Sequence, residues 1–291
     1  MDTRLYITEH DVRRLKSIFR TSENIYMRLT NNEALFIADK VSFFKSLSIK
    51  ATSDTRISLK VSPDVMANLS RPGVIDMKHT GDRVQFGFSL TEDDSNAGRY
   101  RWVTTINYSN IEDFLLRDYI RAINSVEVTH FGIPSLDNLK EIVNICTACE
   151  VGIQISDGYI YSSGENLKMF HKINDSEMQL ALDLSSLKEL SRFGTDGNIH
   201  HAGEYFLVSR DKYTLGIRKV RLTEIGYPEE FYNNSTALSG YYARFGDSVE
   251  LLKVHDKKLD KIRRSTFRIN FDNNTIAVDN GRTNYLVSLL C

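Results

Sequence analysis

The chain has 291 residues, 41% of them hydrophobic and 26% charged, which is typical of an ordinary globular protein, and its four prolines and sixteen glycines argue against a disordered or fibrous one. Its 37 basic and 38 acidic side chains exclude a globally basic nucleic-acid-binding chain, but they allow basic residues to gather on one face. No apolar run approaches the ~20 residues of a membrane-spanning helix, the charged N-terminus is unlike a signal peptide, and three cysteines cannot build a disulfide framework, so we expect an intracellular protein with no membrane partner.

The first part of the chain alternates helices with β-hairpins. Residues 5–20 predict a strand followed by a helix, because Val12, Leu15 and Phe19 recur at helical spacing. Residues 25–39 predict a hairpin, because its Asn-Asn pair tolerates the positive φ of a tight turn. The other elements predicted before residue 110 are a strand at 41–51, a strand that runs into a helix at 56–70, a hairpin at 74–90, a polar loop at 92–99 and a strand at 99–109.

Residues 110–134 break this alternation. Their first part, NIEDFLLRDYIRAI, allows a helix but is only partly periodic, and the Gly-Ile-Pro sequence that ends the stretch is typical of a joint. We interpret the stretch as a linker region between a first domain at 1–109 and a second domain at 135–291.

The second part of the chain restates the first with an offset of about 120 residues, which indicates internal duplication. A duplicated helix-plus-hairpin unit favours an architecture built by repetition over a single active-site cleft. The elements predicted there are a helix at 135–146, a hairpin at 151–165, a strand at 167–173, a strand that runs into a helix at 179–193 and a hairpin at 204–222.

The C-terminal segment does not fit a simple doubling. After a loop at 228–240, the sequence predicts a long helix at 248–265, a second hairpin with an Asn-Asn turn at 267–281 and a final strand, TNYLVSLL. The count of helix-plus-hairpin halves is therefore odd. Either the second domain has an enlarged C-terminal end, or a third domain that starts near residue 232 is truncated.

Several segments carry a resemblance to a known family. They are LYITEHDVRRLKSIF, SLKVSPDVMANLS, DRVQFGF, VRLTEIGYPEEF and the ending TNYLVSLL. Their order is similar to that of the DNA polymerase sliding clamps, which include proliferating cell nuclear antigen, the bacterial β clamp and the tailed-phage clamps. The resemblance implies an α+β fold of duplicated clamp domains, with antiparallel sheets outside and amphipathic helices lining the inner face. The length fits neither two compact domains nor three full ones.

The resemblance also implies a function. The expected protein is a non-enzymatic processivity factor that forms a homo-oligomeric ring around double-stranded DNA, tethers a DNA polymerase and is placed on DNA by a clamp loader. Two domains per chain would favour a homotrimer, and three lobes a homodimer. Partners would dock a short hydrophobic peptide in an outer pocket near the domain junction. The expected location is the cytoplasm or nucleoid, or the host cell if the protein comes from a phage or virus.

A clamp needs basic side chains that face phosphates without reading sequence. The helix at 248–265 carries its apolar and basic residues on roughly opposite faces, whereas the helix at 135–146 carries more acidic than basic residues. The competing interpretation is that such basic stripes are ordinary solvated faces. The predicted DNA-binding residues are Arg13, Lys16 and Arg20 in the first helix, Lys188 and Arg192 in the helix that ends at 193, and Lys253, Lys257, Lys258, Lys261, Arg263 and Arg264 in the last helix.

Catalytic and metal-binding patterns are sparse. Cys146 and Cys149 have the CxxC spacing of a redox or metal site, but no second pair accompanies them, which favours two core cysteines. His200 and His201 are adjacent next to a predicted strand, so they would point to opposite faces. No phosphate-binding loop or nucleophile elbow is present. We therefore predict no catalytic residue, no metal site and no cofactor.

Three alternatives stay open at the level of sequence. One is a processivity or transcription factor of viral origin that has the same fold but forms no ring. Another is a β-rich structural protein of phage assembly whose basic helix is merely solvated. The last is a thiol-dependent enzyme that uses the two cysteines of the CxxC pair.

Overall fold

The fold is given by a computed structural model, which divides into two compact units. The first unit contains residues 1–129 and 199–218, and the second contains 130–198 and 219–291. Within them, the structure describes residues 2–20, 24–61, 71–80, 83–107, 109–125, 131–132, 143, 146–147, 150–156, 159–164, 167–172, 179–193, 198–221, 242–244, 266–270, 275–279 and 283–288.

Short helices connect many antiparallel strands. The described helices are α1 (Glu9–Phe19), α2 (Glu92–Asn96), a 3₁₀ turn (Asp113–Leu116), α3 (Arg117–Ile123) and α4 (Leu184–Phe193). The described strands are β1 (Asp2–Ile7), β2 (Asn24–Thr30), β3 (Glu33–Asp39), β4 (Phe43–Ser53), β5 (Ile57–Val61), β6 (Gly73–Thr80), β7 (Arg83–Ser89), β8 (Trp102–Asn107), β9 (Ser109–Asn110), β10 (Phe131–Gly132), β11 (Ile153–Ser156), β12 (Tyr159–Gly164), β13 (Leu167–Lys172), β14 (Leu180–Leu182), β15 (Asn198–Ala202), β16 (Tyr205–Arg210), β17 (Tyr213–Arg218), β18 (Tyr242–Arg244), β19 (Thr266–Asn270), β20 (Thr275–Asp279) and β21 (Thr283–Ser288).

Strand β4 organises the first unit, because it pairs with three neighbours. Its first half lies between β3 and β17, with Phe44 opposite Gly216, and its last residues pair with β1, with Ala51 opposite Leu5. From β4 one ladder runs through β1, β6 and β7 to β8, and another runs through β3, β2 and β5 to β9. On its other side β17 continues through β16 to β15. All of these pairings are antiparallel.

Helices cover both faces of the β2–β3–β4–β17–β16 sheet. On one face, which we call the α1 face, α1 packs on β3 and β4, and the Phe19 and Phe36 rings meet edge to face at 6.4 Å. On the other, the α3 face, the rings of Phe44, Tyr119 and Tyr205 cluster under α3. The alternation of side chains along each strand explains why consecutive residues of β3 and β4 serve the two faces.

The second unit has a single antiparallel ladder of eight described strands. Its order is β14-β11-β12-β13-β21-β20-β19-β18. The helix α4 follows β14, and it buries Leu187 and Leu190 while β11 buries Ile153 and Ile155. Buried apolar side chains of this unit therefore lie both on α4 and on the strand β11.

Most of the predicted elements are confirmed. The five predicted hairpins are β2–β3, β6–β7, β11–β12, β16–β17 and β19–β20. The strands predicted at 41–51, 99–109, 167–173 and the C-terminus are β4, β8, β13 and β21. The α+β class with antiparallel sheets is likewise confirmed. The helical end of the segment predicted at 56–70, the helix predicted at 248–265 and most of the helix predicted at 135–146 lie outside the described residues.

The prediction of a polar loop at 92–99 is wrong, because α2 forms there. Thr91 caps this helix by accepting a hydrogen bond from the Asp94 backbone N–H at 3.2 Å, and the acidic first turn suits the positive end of the helix dipole. Arg4 then donates to the Asn96 side chain at 2.8 Å. Capping and long-range polar contacts thus stabilise this helix, which has few apolar residues.

The two units do not coincide with the predicted domains at 1–109 and 135–291. Helix α3, in the predicted linker, packs on β16 and β17, and β17 completes the sheet around β4. Contacts therefore group the start of the linker and a later hairpin with the first unit. The boundaries of the repeated domains stay a prediction.

Candidate nucleic-acid interface

Local capping and an apolar stripe fix helix α1. The Thr8 side chain accepts from the Asp11 backbone N–H at 3.2 Å, and the Thr8 backbone N–H donates to the Asp11 carboxylate at 2.9 Å. This reciprocal capping box satisfies N–H groups that have no partner inside a helix. Val12, Leu15 and Ile18 are buried against the sheet. Of the apolar stripe predicted from the sequence, Val12 and Leu15 are buried and Phe19 is half-buried, and Ile18 is added to it.

Three predicted DNA-binding residues lie together on the solvent side of α1. Arg13, Lys16 and Arg20 are exposed, and none makes an ion pair within the part of the chain that the structure describes. At about 100° per residue, their positions fall within an arc of roughly 60°. This arrangement offers three unneutralised cations on one line, which suits contact with successive phosphates.

Another cation of α1, Arg14, is not among the DNA-binding residues predicted from the sequence. Its guanidinium donates to the Asp211 carboxylate at 2.9 Å and lies over the Tyr213 ring, 5.7 Å from the ring centre. The Arg14 side chain is only 10% exposed, whereas that of Asp211 is 72% exposed. The partner is 197 positions away in the chain, so no local pattern indicates it.

Helix α4 offers less to a nucleic acid than α1 does. Lys188 is half-buried, and Arg192 donates to Glu189 at 2.6 Å. The Glu189 side chain is almost fully buried, and Arg192 forms an ion pair with it. A phosphate would therefore compete with Glu189 for Arg192. The DNA-binding role of Lys188 and Arg192 stays a prediction.

The remaining predicted DNA-binding residues belong to the C-terminal helix predicted at 248–265. All of them lie outside the described residues: Lys253, Lys257, Lys258, Lys261, Arg263 and Arg264.

A cavity of about 590 Å³ opens in the first unit, beside α3. Its walls combine two arginines and two carboxylates with small and aromatic residues. Arg218, on its wall, also lies over the Tyr205 ring at 5.9 Å from the ring centre. Residues lining the cavity include Asp118, Arg121, Ser125, Glu204, Tyr205 and Arg218. A cavity of this size and polarity can hold a short peptide segment.

A half-buried carboxylate lies on the α3 face. Burial raises the pKa of Asp39 above its ordinary 3.8, although a hydrogen bond from Tyr119 and the nearby Arg218 act in the opposite direction. Burial, together with the Asp39 charge, also raises the pKa of the Tyr119 hydroxyl. The pair therefore favours a protonated tyrosine that donates to the carboxylate.

This raised pKa predicts a pH-dependent stability. Between the ordinary and the raised pKa of Asp39, the native protein binds more protons than the unfolded chain, so the stability due to this group falls as pH rises through that window. Asp39→Asn keeps an acceptor for Tyr119 but removes the titration. We expect its Tm to exceed that of the unaltered protein at neutral pH and to match it below the window. Thermal unfolding from about pH 3.5 to 7 measures this, and parallel curves would contradict it.

The structure describes one cysteine of the CxxC pair and both adjacent histidines. Cys146 is buried, with its sulfur 3.9 Å from the Ser162 hydroxyl, while Cys149 lies outside the described residues. The ring of His201, on β15, packs edge to face on the Phe206 ring, with 4.8 Å between the ring centres. Among the described positions, no three His, Cys, Asp or Glu side chains are grouped as metal ligands would be. In the same part of the chain, no helix is long and apolar enough to cross a membrane.

Comparison of the sequence finds no matching family model and no matching curated protein. Comparison of the structure finds close likenesses. A provisionally assigned DNA polymerase III beta subunit from Eubacterium rectale is 10% identical, with 99% of each chain covered at a TM-score of 0.70. The DNA polymerase III subunit beta of Pseudomonas aeruginosa is also 10% identical, with both chains fully covered at 0.67.

A third likeness is a Helicobacter pylori β clamp solved with a DNA ligase peptide bound. It is 9% identical to this chain, and both chains are fully covered at a TM-score of 0.64. At such identities the likeness concerns the fold. These structures confirm the prediction made from the order of elements: the chain has the fold of the DNA sliding clamps along almost its entire length.

Proposed function

We propose that this protein is a non-enzymatic DNA sliding clamp, which closes into a ring around duplex DNA and tethers a DNA polymerase. The observation that carries the proposal is the clamp fold, which extends over 99% of the chain and 99% of the Eubacterium rectale structure. Three proteins with this fold are named as polymerase beta subunits or β clamps. A fold alone does not fix a function, so the proposal also needs support from the site.

The exposed cations of α1 supply that support. Arg13, Lys16 and Arg20 are free of ion pairs within the described residues and offer contacts to phosphates rather than to bases. Phosphate contacts give affinity without sequence information and weaken as salt rises. A ring that must move along DNA needs this kind of contact. In the proposal, the basic residues predicted in α4 and the C-terminal helix add to the same surface.

The edge of the first unit supports ring closure. Strand β8 ends its ladder, and in the part of the chain that is described no strand pairs with its outer edge. Its Val103 side chain is 50% exposed. Open strand edges readily pair with another chain. We therefore place one side of the ring-closing contact at β8, with a homotrimer favoured for two domains per chain and a homodimer for three lobes.

The cavity beside α3 is our candidate for the docking of partners. In the Helicobacter pylori clamp a DNA ligase peptide is bound. Here, Arg121 and Arg218 face the cavity together with Asp118 and Glu204, so a docked segment would need polar or charged groups beside its apolar ones. The lining thus favours a more polar peptide than the hydrophobic one expected from the resemblance. A polymerase and a clamp loader, in the cytoplasm or nucleoid, are the proposed partners.

Topological retention on DNA tests the proposal. Light scattering gives the oligomeric state, and gel filtration after incubation with nicked circular plasmid and a clamp loader shows whether the protein stays bound at salt that removes simple phosphate contacts. We expect a closed oligomer that is retained on the circle and lost when a restriction enzyme linearises it. A monomer at every concentration, or equal retention on linear DNA, would refute the ring and favour a non-ring factor on the same fold.

A further inference from the structure

Helix α1 and its C-cap residue together carry four arginine or lysine side chains, and one of these, Arg14, is paired with the hairpin β16–β17. Arg13, Lys16 and Arg20 face solvent, while Arg14 lies about 100° around the helix from Arg13, on its flank. There the turn of the hairpin meets the helix, and Asp211 accepts a hydrogen bond from Arg14 at 2.9 Å. The charge of Arg14 is therefore matched inside the protein.

The contact between α1 and the hairpin involves more than the ion pair. The Ser17 hydroxyl lies 3.2 Å from the Tyr213 hydroxyl and accepts a hydrogen bond from Lys45 at 3.2 Å. The Arg14 guanidinium also makes a cation–π contact with the face of the Tyr213 ring. These contacts connect α1 to the sheet and to the hairpin independently of Asp211.

The position of Asp211 allows an incoming anion to replace it. Asp211 occupies the two-residue turn between Arg210 and Tyr213 at a φ of +52°, and its side chain is 72% exposed. Because the carboxylate is so exposed, water and salt screen part of its attraction to Arg14, whose own side chain is only 10% exposed. A phosphate offers the same bidentate geometry to a guanidinium as a carboxylate does.

We propose that Asp211 competes with DNA phosphate for Arg14 and thereby limits the grip of α1 on DNA. The inference rests on the proposed function, because it takes α1 as a phosphate-contacting helix. In this arrangement, α1 has three cations that are always available and a fourth that becomes available only when Asp211 is displaced. Asp211 is thus a residue that positions Arg14 and tunes how firmly the ring holds the duplex.

Asp211→Asn tests this inference. Asparagine tolerates the positive φ at this turn, so the hairpin is kept while the competing charge is removed. We expect affinity for linear duplex DNA to rise about two- to fivefold at low salt, and the slope of log affinity against log salt to steepen by up to about 0.9, the value for one added phosphate contact. Fluorescence anisotropy across a salt series measures both. The double variant Arg14→Gln with Asp211→Asn should lose the added slope.

The matched control is Asp93→Asn in α2. Asp93 is exposed, and α2 lies on the face of β1 that carries Arg4 and Tyr6, opposite the buried Leu5. This variant changes the net charge equally, so it should leave the slope unchanged. Equal slopes for Asp211→Asn and Asp93→Asn, or a lowered Tm for Asp211→Asn without tighter binding, would overturn the inference and leave the clamp proposal intact. If the unaltered protein showed no salt-dependent binding to DNA, the proposed contact between α1 and DNA would itself be refuted.

Discussion

Replacing Arg13, Lys16 and Arg20 together by glutamate is expected to weaken binding to duplex DNA by on the order of 100-fold at low salt. The change removes three phosphate contacts and puts three repelling charges in their place on the exposed arc of α1. The slope of log affinity against log salt should become shallower by about 2.7, since each lost contact contributes about 0.9. Because the three side chains project into solvent, the Tm should change little.

A matched triple variant separates this local effect from the change in net charge. Lys50, Lys60 and Lys78 are exposed and alternate with buried neighbours on β4, β5 and β6, so they project away from the buried side of their strands. Their replacement by glutamate changes the charge by the same amount. We expect anisotropy titrations to show a much smaller loss for this variant. Equal losses for the two triple variants would refute a specific role for α1.

Truncation of Phe44 to alanine is expected to lower the free energy of unfolding by about 3–5 kcal/mol. Phe44 is fully buried, and its ring meets the rings of Tyr119 at 5.1 Å and Tyr205 at 5.0 Å, both edge to face. The truncation leaves a void where α3 packs on the sheet. Urea unfolding measures the loss. Phe114→Ala is the control, because its side chain is 58% exposed and should change stability by no more than about 0.5 kcal/mol.

A substitution at Gly216 tests the same packing of Phe44 in a second way. A Cβ on Gly216 would overlap the Phe44 ring, which lies opposite it in the paired strand. Gly216→Ala should therefore cost about 1–3 kcal/mol in the unaltered protein. In the Phe44→Ala background the added methyl group fills vacated space, so its cost should vanish. Additive losses in the double variant would show that the two positions do not share this contact.

The order of elements could be predicted from the sequence because it depends on local signals. The Asn-Asn turn between β2 and β3 closes the hairpin that its chemistry indicates, and the spacing of Val12 and Leu15 buries one face of α1. These signals involve neighbours a few positions apart. Their repetition along the chain was enough to indicate the clamp fold, although identity to the clamps of similar structure is only about one residue in ten.

The remaining features depend on contacts that no local pattern encodes. The pairing of Arg14 with Asp211 joins positions 197 apart, and Glu189 reduces the availability of Arg192 only because α4 buries that carboxylate. Helix α2 is a partial exception, because its capping by Thr91 is a local signal, whereas its link to Arg4 joins positions far apart in the chain. Three of the five basic residues predicted in α1 and α4 are thus exposed and unpaired within the described residues, while Lys188 is half-buried and Arg192 is engaged.

The two-sided pairing of β4 has a consequence for how the protein is made. One edge of this strand is completed by β17, which ends at Arg218, whereas β4 itself leaves the ribosome far earlier. Until Arg218 has been synthesised, the growing chain carries an open edge beside Phe43 and Leu47, in a stretch of apolar side chains. The first unit therefore cannot complete its folding until residues 199–218 have been synthesised. A nascent chain stalled near residue 129 would be prone to aggregate with other nascent chains on the same messenger RNA.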